Sequence, residues 1–195
     1  MTLAYSGQHV ELREIVLKSK PQELLQISPK ATVPVLQCED GNILEESLDI
    51  MFWALQQHDP QNWLQDHDAQ TDLITDNDQH FKARLDRYKY ADRYPEHTET
   101  FYREQCFDFL NKLEERLLTQ AYLFGEQIRL ADVAIFPFIR QFAHVDLTWF
   151  DQSPWPALKH WLNRFKQSSL FTRSMAKYPA WQPGDDALFF PSDTF

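Results

Sequence analysis

Two short runs hold most of the chemistry this chain can offer. They are Val33-Pro34, opening an apolar run to Leu36, and Glu46-Ser47, just ahead of Leu48 and Ile50. A proline opening a strand cannot donate to a ladder, and X-Pro is the linkage for which the cis form is cheap. A cis bond would turn the Val33 amide and carbonyl outward, free to pair with an extended peptide as an added strand does. Glu46-Ser47 sits at a predicted helix start, where free amides and the helix dipole favour a carboxylate. The Ser47 hydroxyl adds a donor, and the Glu46 carboxylate can accept from an ammonium group. Each run also has a plainer reading. Pro34 can be an edge-strand proline, and Glu45, Glu46 and Ser47 can simply cap the helix, worth ~0.5–2 kcal/mol.

The elements that must position these runs are legible in outline. Met1 to Ser6 reads as the end of a helix with Gly7 as its C-cap, and Val10 to Leu17 as a strand. Lys20-Pro21 starts a short helix through Ile27 that stops before Ser28-Pro29, because the residue before a proline disfavours helical backbone. Val33 to Cys38 and Ile43-Leu44 form strands joined across Asp40-Gly41, a hairpin signal. Glu46 to Gln56 has a helical face at Leu48, Met51, Phe52 and Leu55. His58 to Asn62 reads as a linker. Beyond it the pattern is helical, with faces at Leu73/Ile74, Asn77, Phe81, Leu85 and Tyr88; at Cys106, Leu110, Leu113 and Leu117; over Leu130 to Phe142; and at Leu158, Trp161, Leu162 and Phe165.

Composition narrows the function classes. The chain has 195 residues, a formal net charge of -10, and fifteen Phe, seven Tyr and six Trp, which suits packed helices and argues against nucleic acid as a partner. No leader pattern or apolar run of membrane-spanning length is visible, so no membrane partner is expected and a cytoplasmic location is. Cys38 and Cys106 form no CxxC, and reduced thiols are expected. Cys38 follows a strand instead of leading a helix, so it reads as structural. His58, His67 and His80 lack any metal-binding spacing, and no metal is expected. Trp149, Phe150, Trp155 and His144 read as packing residues before pocket-lining ones.

Lys30, Val33-Pro34 and Glu46-Ser47 together resemble the glutathione site of bacterial glutathione S-transferases. In that family the Val-Pro bond is cis and Glu-Ser holds the γ-glutamyl end. Gly125 through Leu130-Ala131-Asp132-Val133-Ala134 is similar to the family's buried helix-start signature, which makes Asp132 a structural cap. Arg129 stands where the family has Ser or Thr, so only the Asp132 half of that capping box is expected. Leu170-Phe171 to Pro179 also resembles the close of some bacterial members. The resemblance implies an α/β thioredoxin-like domain over 1–57, incomplete at its start, a linker over 58–65, and an all-helical bundle domain over 66–195. It implies glutathione as co-substrate, a hydrophobic electrophile or a disulfide as second substrate, and a homodimer. The chemistry would be thiolate attack or thiol–disulfide exchange.

The family opens with a strand and a catalytic loop, and nothing ahead of Val10 matches them. No catalytic role is carried onto Thr2, Tyr5 or Ser6, and the catalytic residue stays unassigned. The expectation is that Met1 is an internal methionine, with a truncated, inactive chain as the alternative. Two other readings stand beside conjugation: a non-catalytic binding module of the stringent-starvation-protein type, and a glutaredoxin-2-like oxidoreductase.

Overall fold

The computed structural model describes residues 1–191. The chain divides into two compact units, one of Met1–Gln61 together with the residues from Ser169 onward, the other Asn62–Ser168. The boundary after Gln61 lies inside the 58–65 segment. The residues after Ser168, expected with the helical bundle, cluster with the first unit instead.

In the first unit, α1 (Thr2–Ser6) closes at Gly7, whose left-handed backbone (φ 68°) lets its amide turn back toward Ala4 and Leu3. Next comes β1 (Val10–Glu11), much shorter than the expected strand. In the rest of that run Leu12 keeps one bond, to the Leu188 carbonyl at 2.7 Å, while Val16 and Leu17 are exposed and Val16 bridges to Ser19. Without a continuous ladder the apolar side chains cannot hold extended backbone by themselves. After α2 (Gln22–Ile27) come β2 (Leu36–Gln37) and β3 (Ile43–Leu44), an antiparallel hairpin in which Leu36 faces Leu44 and Gln37 faces Ile43. Its turn is fixed by Gly41 at φ 87° and by Asp40, which accepts from both the backbone and the side-chain nitrogen of Asn42. The helix α3 (Ser47–Gln57) follows, burying Ile50, Ala54 and Leu55 and packing on α1. Tyr5 ties α1 to the chain after α3: its hydroxyl donates to Asp59 at 2.9 Å and accepts the Gln61 amide at 2.6 Å.

The tail returns to this unit. After a short helix over Ser169–Ser174, β4 (Phe189–Phe190) pairs antiparallel with β1, placing Phe190 against Val10. The Trp181 amide donates to the Glu14 carbonyl at 2.8 Å, and the Arg13 guanidinium lies 4.5 Å from the Trp181 ring centre. Sequence periodicity is blind to this pairing, because a two-residue strand carries no repeat to read.

The second unit is helical. Numbered onward, α4 (His67–Asp76) runs through a π turn at Asn77–Phe81 into α5 (Lys82–Lys89). Then come α6 (Glu99–Glu104), α7 (Phe107–Leu117), α8 (Leu130–Val145), α9 (Leu147–Gln152) and α10 (Pro156–Gln167). The expected faces are buried throughout: Leu73, Ile74, Asn77, Phe81, Leu85 and Tyr88; Cys106, Leu110, Leu113 and Leu117; Leu158, Trp161, Leu162 and Phe165. Phe150 and Trp155 belong to this core, and the Trp155 indole donates to Asn111 at 2.7 Å.

Buried polar groups register these helices. Asp132 is fully buried at the start of α8, and one of its oxygens accepts the Arg129 amide at 2.9 Å. The other accepts the Leu123 amide at 2.9 Å and the Trp161 indole N–H at 2.8 Å. Arg129 cannot complete a capping box, since a guanidinium has no acceptor; its side chain reaches Gln65 at 2.8 Å instead. The remaining amides of the helix start go to distant partners, Leu130 to the Trp63 carbonyl and Ala131 to the Gln70 side chain. Glu114 does the same for α10, accepting from Ala157 and Leu158.

Burial pushes the Asp132 carboxyl up to about 6, against three N–H donors that favour the anion. Asp132→Ala, which orphans those donors, should cost about 3–5 kcal/mol of stability in urea unfolding. A folded value above the ordinary carboxylate range means that stability falls as pH rises from about 4 to about 6. That slope should be missing from the difference curve for Asp132→Asn; an unchanged slope would assign it to other groups.

Candidate functional site

The groove of interest is built by the turn after α2, the β2–β3 hairpin and the first turn of α3. Ser28 ends α2 and is completely buried. Its hydroxyl donates to Glu45 at 2.6 Å, across seventeen residues of chain. This bond fixes the 28–31 turn, with Ala31 at φ 54°, to the segment leading into α3. Lys30 on that turn places its ammonium 3.6 Å from Glu45 and 3.6 Å from Glu46. The Ser28 hydrogen bond holds the Glu45 carboxyl below its ordinary value, outweighing the opposing desolvation, and Lys30 adds to it.

Lys30 and Glu46 are therefore brought together, and Ser47 follows as the first residue of α3. Glu46 is the N-cap with extended backbone (φ -118°, ψ 140°), and no cap hydrogen bond from its side chain closes the helix start. The helix begins one residue later than expected, with Glu46 outside it. Val33-Pro34 is cis. Among the described residues no hydrogen bond or ion pair joins Val33 or Pro34 to Lys30, Glu46 or Ser47; both runs flank the same β2–β3 hairpin. All five side chains are exposed, Val33 by 42%. Among the described residues no backbone partner engages Val33. The site thus presents the Val33 backbone, with no backbone partner among the described residues, ahead of the hairpin and the amide end of α3 after it, with the Glu46 carboxylate and the Lys30 ammonium beside that helix start. Such a surface can hold an extended peptide with a free amine and carboxylate.

The sequence does not mark Ser28 and Glu45 as supports of this site; its one signal is Glu45 beside Glu46-Ser47, which equally suits a helix cap.

Neither cysteine is an activated thiol. Burial and the neighbouring Asp40 push Cys38 above its ordinary value. Burial pushes the Cys106 thiol up to about 12, and its Sγ donates to the Tyr102 carbonyl. Thr2 and Ser6 are buried, and the Tyr5 hydroxyl is engaged by Asp59 and Gln61. Among the described residues no group of three or more His, Cys, Asp or Glu side chains could hold a metal ion, and no helix is long and apolar enough to cross a membrane.

Comparison with known proteins agrees with this architecture. The family model for the glutathione S-transferase N-terminal domain matches residues 1–63, and that for the glutathione S-transferase C-terminal domain matches residues 62–164. Among solved structures, the chain is similar to BphK, a bacterial glutathione S-transferase solved as a ternary complex (23% identity, 88% of each chain, TM-score 0.72). It is similar as well to glutathione transferase Omega 3C from Trametes versicolor (17% identity, 91% of this chain and 82% of that one, TM-score 0.74). A third is the transferase URE2P6 from Phanerochaete chrysosporium, in complex with oxidized glutathione (16% identity, 80% and 76%, TM-score 0.67). No curated protein matches in sequence. The shared fold is a thioredoxin-like N-terminal domain with a helical C-terminal domain.

Ser28→Ala should return the Glu45 carboxyl toward its ordinary value, read by an NMR titration of the side-chain carboxylates. A depressed carboxyl adds stability above its unfolded value, and that stability is lost as pH falls through the folded one. The variant should accordingly be less sensitive to mild acid than the parent. An unshifted Glu45 titration would show that the hydroxyl is not what holds it.

Proposed function

Because the chain belongs to the glutathione S-transferase family, we infer that the groove between Val33-Pro34 and the start of α3 binds glutathione. The observation that carries this reading is the uncapped start of α3, with Glu46 and Ser47 on it and Lys30 held 3.6 Å from Glu46. In this reading the Ser47 hydroxyl and the first amides of α3 receive the γ-glutamyl carboxylate, and Glu46 accepts from its ammonium. Lys30 then exchanges part of its contact with Glu46 for a ligand carboxylate, staying close to Glu45. The Val33 amide and carbonyl pair with the peptide backbone of the tripeptide, and Pro34 shapes the wall they stand on.

The reaction this serves is transfer of glutathione to a hydrophobic electrophile, or reduction of a disulfide, by a homodimer in the cytoplasm. The thiolate is the nucleophile, so a donor must lower the glutathione thiol's pKa. We assign that donor to no residue of this chain.

Calorimetric titration with reduced glutathione tests the site directly. Ser47→Ala should weaken binding by roughly tenfold to a hundredfold, the loss of a hydrogen bond to a charged group (about 1.5–3 kcal/mol). Glu46→Gln should weaken it too, with a smaller loss for N-acetylglutathione, whose γ-glutamyl nitrogen is no longer an ammonium. Thermal stability should move little in either variant, since both side chains are exposed. Parent-like affinity in both would sink the assignment. Conjugation assays on the same protein then separate transfer from binding alone.

A further inference from the structure

The helical unit carries a second concave surface with a different chemistry. A cavity of about 270 Å³ opens where α5 meets the segment around α6, lined by Arg84, Arg87, His97, Phe101, Tyr102 and Gln105. Its lining has two guanidinium groups and no carboxylate, in a chain whose formal net charge is -10. Arg84 is held by the bond from one terminal nitrogen to the Gln105 carbonyl at 3.0 Å, which leaves the other donors of its fork for a guest. Asp108 stands 3.9 Å from Arg84 with its side chain 93% exposed, a pair that solvent screens. Glu96 accepts from the Tyr102 hydroxyl at 3.3 Å. Arg87 lies 5.8 Å from the Tyr94 ring centre and makes no ion pair among the described residues.

Beside these cations stands an aromatic ledge. The His97 ring stacks on Phe101 with centroids 4.0 Å apart, and Phe101 meets the buried Tyr102 edge to face at 5.7 Å. Phe101 remains 38% exposed, an apolar face turned to solvent next to a pair of guanidinium groups. A simple phosphate would use the cations and leave the ledge wet; an apolar molecule would use the ledge and leave the cations unmatched. A single-ring organic anion uses both, and the cavity is near the lower limit of size for a small-molecule site.

We propose that this cavity binds a small aryl carboxylate, its carboxylate gripped by Arg84 and Arg87 and its ring laid against Phe101 and His97. Planar guanidinium forks suit a carboxylate because they can offer two parallel N–H donors. The site is independent of the glutathione reading, since none of its residues takes part in that groove.

Benzoate is the probe, titrated into the full chain by amide-detected NMR and calorimetry. Saturable binding is expected, with shifts concentrated on residues 84–105. Arg87→Gln should weaken it by about tenfold, a lost charge-assisted bond, and Phe101→Ala by a few-fold. Both side chains are exposed, so both variants should fold. Benzylamine should not bind, and inorganic phosphate should bind at least about tenfold more weakly than benzoate. No saturation by concentrations on the order of 10 mM, equal binding by phosphate, an unaffected Arg87→Gln variant, or displacement of benzoate by glutathione would each overturn the proposal.

Discussion

The Asp132 carboxylate stands where the start of α8, the loop before it and the face of α10 converge, and each must present an N–H group to it. Apolar contact is not directional, so it can hold helices together without deciding their register. A buried carboxylate decides it, because each lost donor leaves a charged oxygen poorly compensated in a low-dielectric interior. Gln70 and the Trp63 carbonyl extend the same constraint to α4 and to the chain before it. Glu114 repeats it between α7 and α10. The aromatic core around Phe136, Trp161 and Phe165 then fills a frame whose corners are hydrogen bonds.

The start of α3 is the counterpart. Helix starts leave the same unpaired amides wherever they occur. At α8 they are taken by Trp63, Gln70 and Asp132, all from the protein itself. At α3 no side chain of the N-cap takes them, and the flanking Glu46 and Ser47 are exposed. What separates an occupied helix start from an open one here is the set of neighbours, since both sequences carry an acid in the opening turn.

That distinction explains what could be read from the residues alone. The hairpin was legible because its signal is local: Asp40-Gly41 fixes the turn, and the turn sets Leu36 against Leu44; the meeting of Lys30 with Glu46 is not marked by any local pattern. The helical faces of the second unit were legible for the same reason as the hairpin, and Leu110 and Leu113 or Trp161 and Phe165 fall where their spacing puts them; on α3 only Leu55 of the expected face is buried, beside Ile50 and Ala54, while Leu48, Met51 and Phe52 are half-buried. Asp132 was legible through its motif. Gln70, Glu114 and Ser28 were not, because each acts on an amide or carboxylate far along the chain, and nothing in their own neighbourhood marks the partner. The strand expected over Val10 to Leu17 failed for the converse reason: its local pattern was adequate, but most of it lacks a neighbouring strand.

The pairing of Phe189–Phe190 with Val10–Glu11 makes the first unit non-local along the chain. The helical unit is one unbroken stretch, Asn62–Ser168. β1 meets its partner only across the whole of that stretch, so the entropy of closing a long loop must be met before the pairing rewards it. A cut in the chain ahead of Phe189 would strip β1 of its partner while leaving every residue of the helical unit in place.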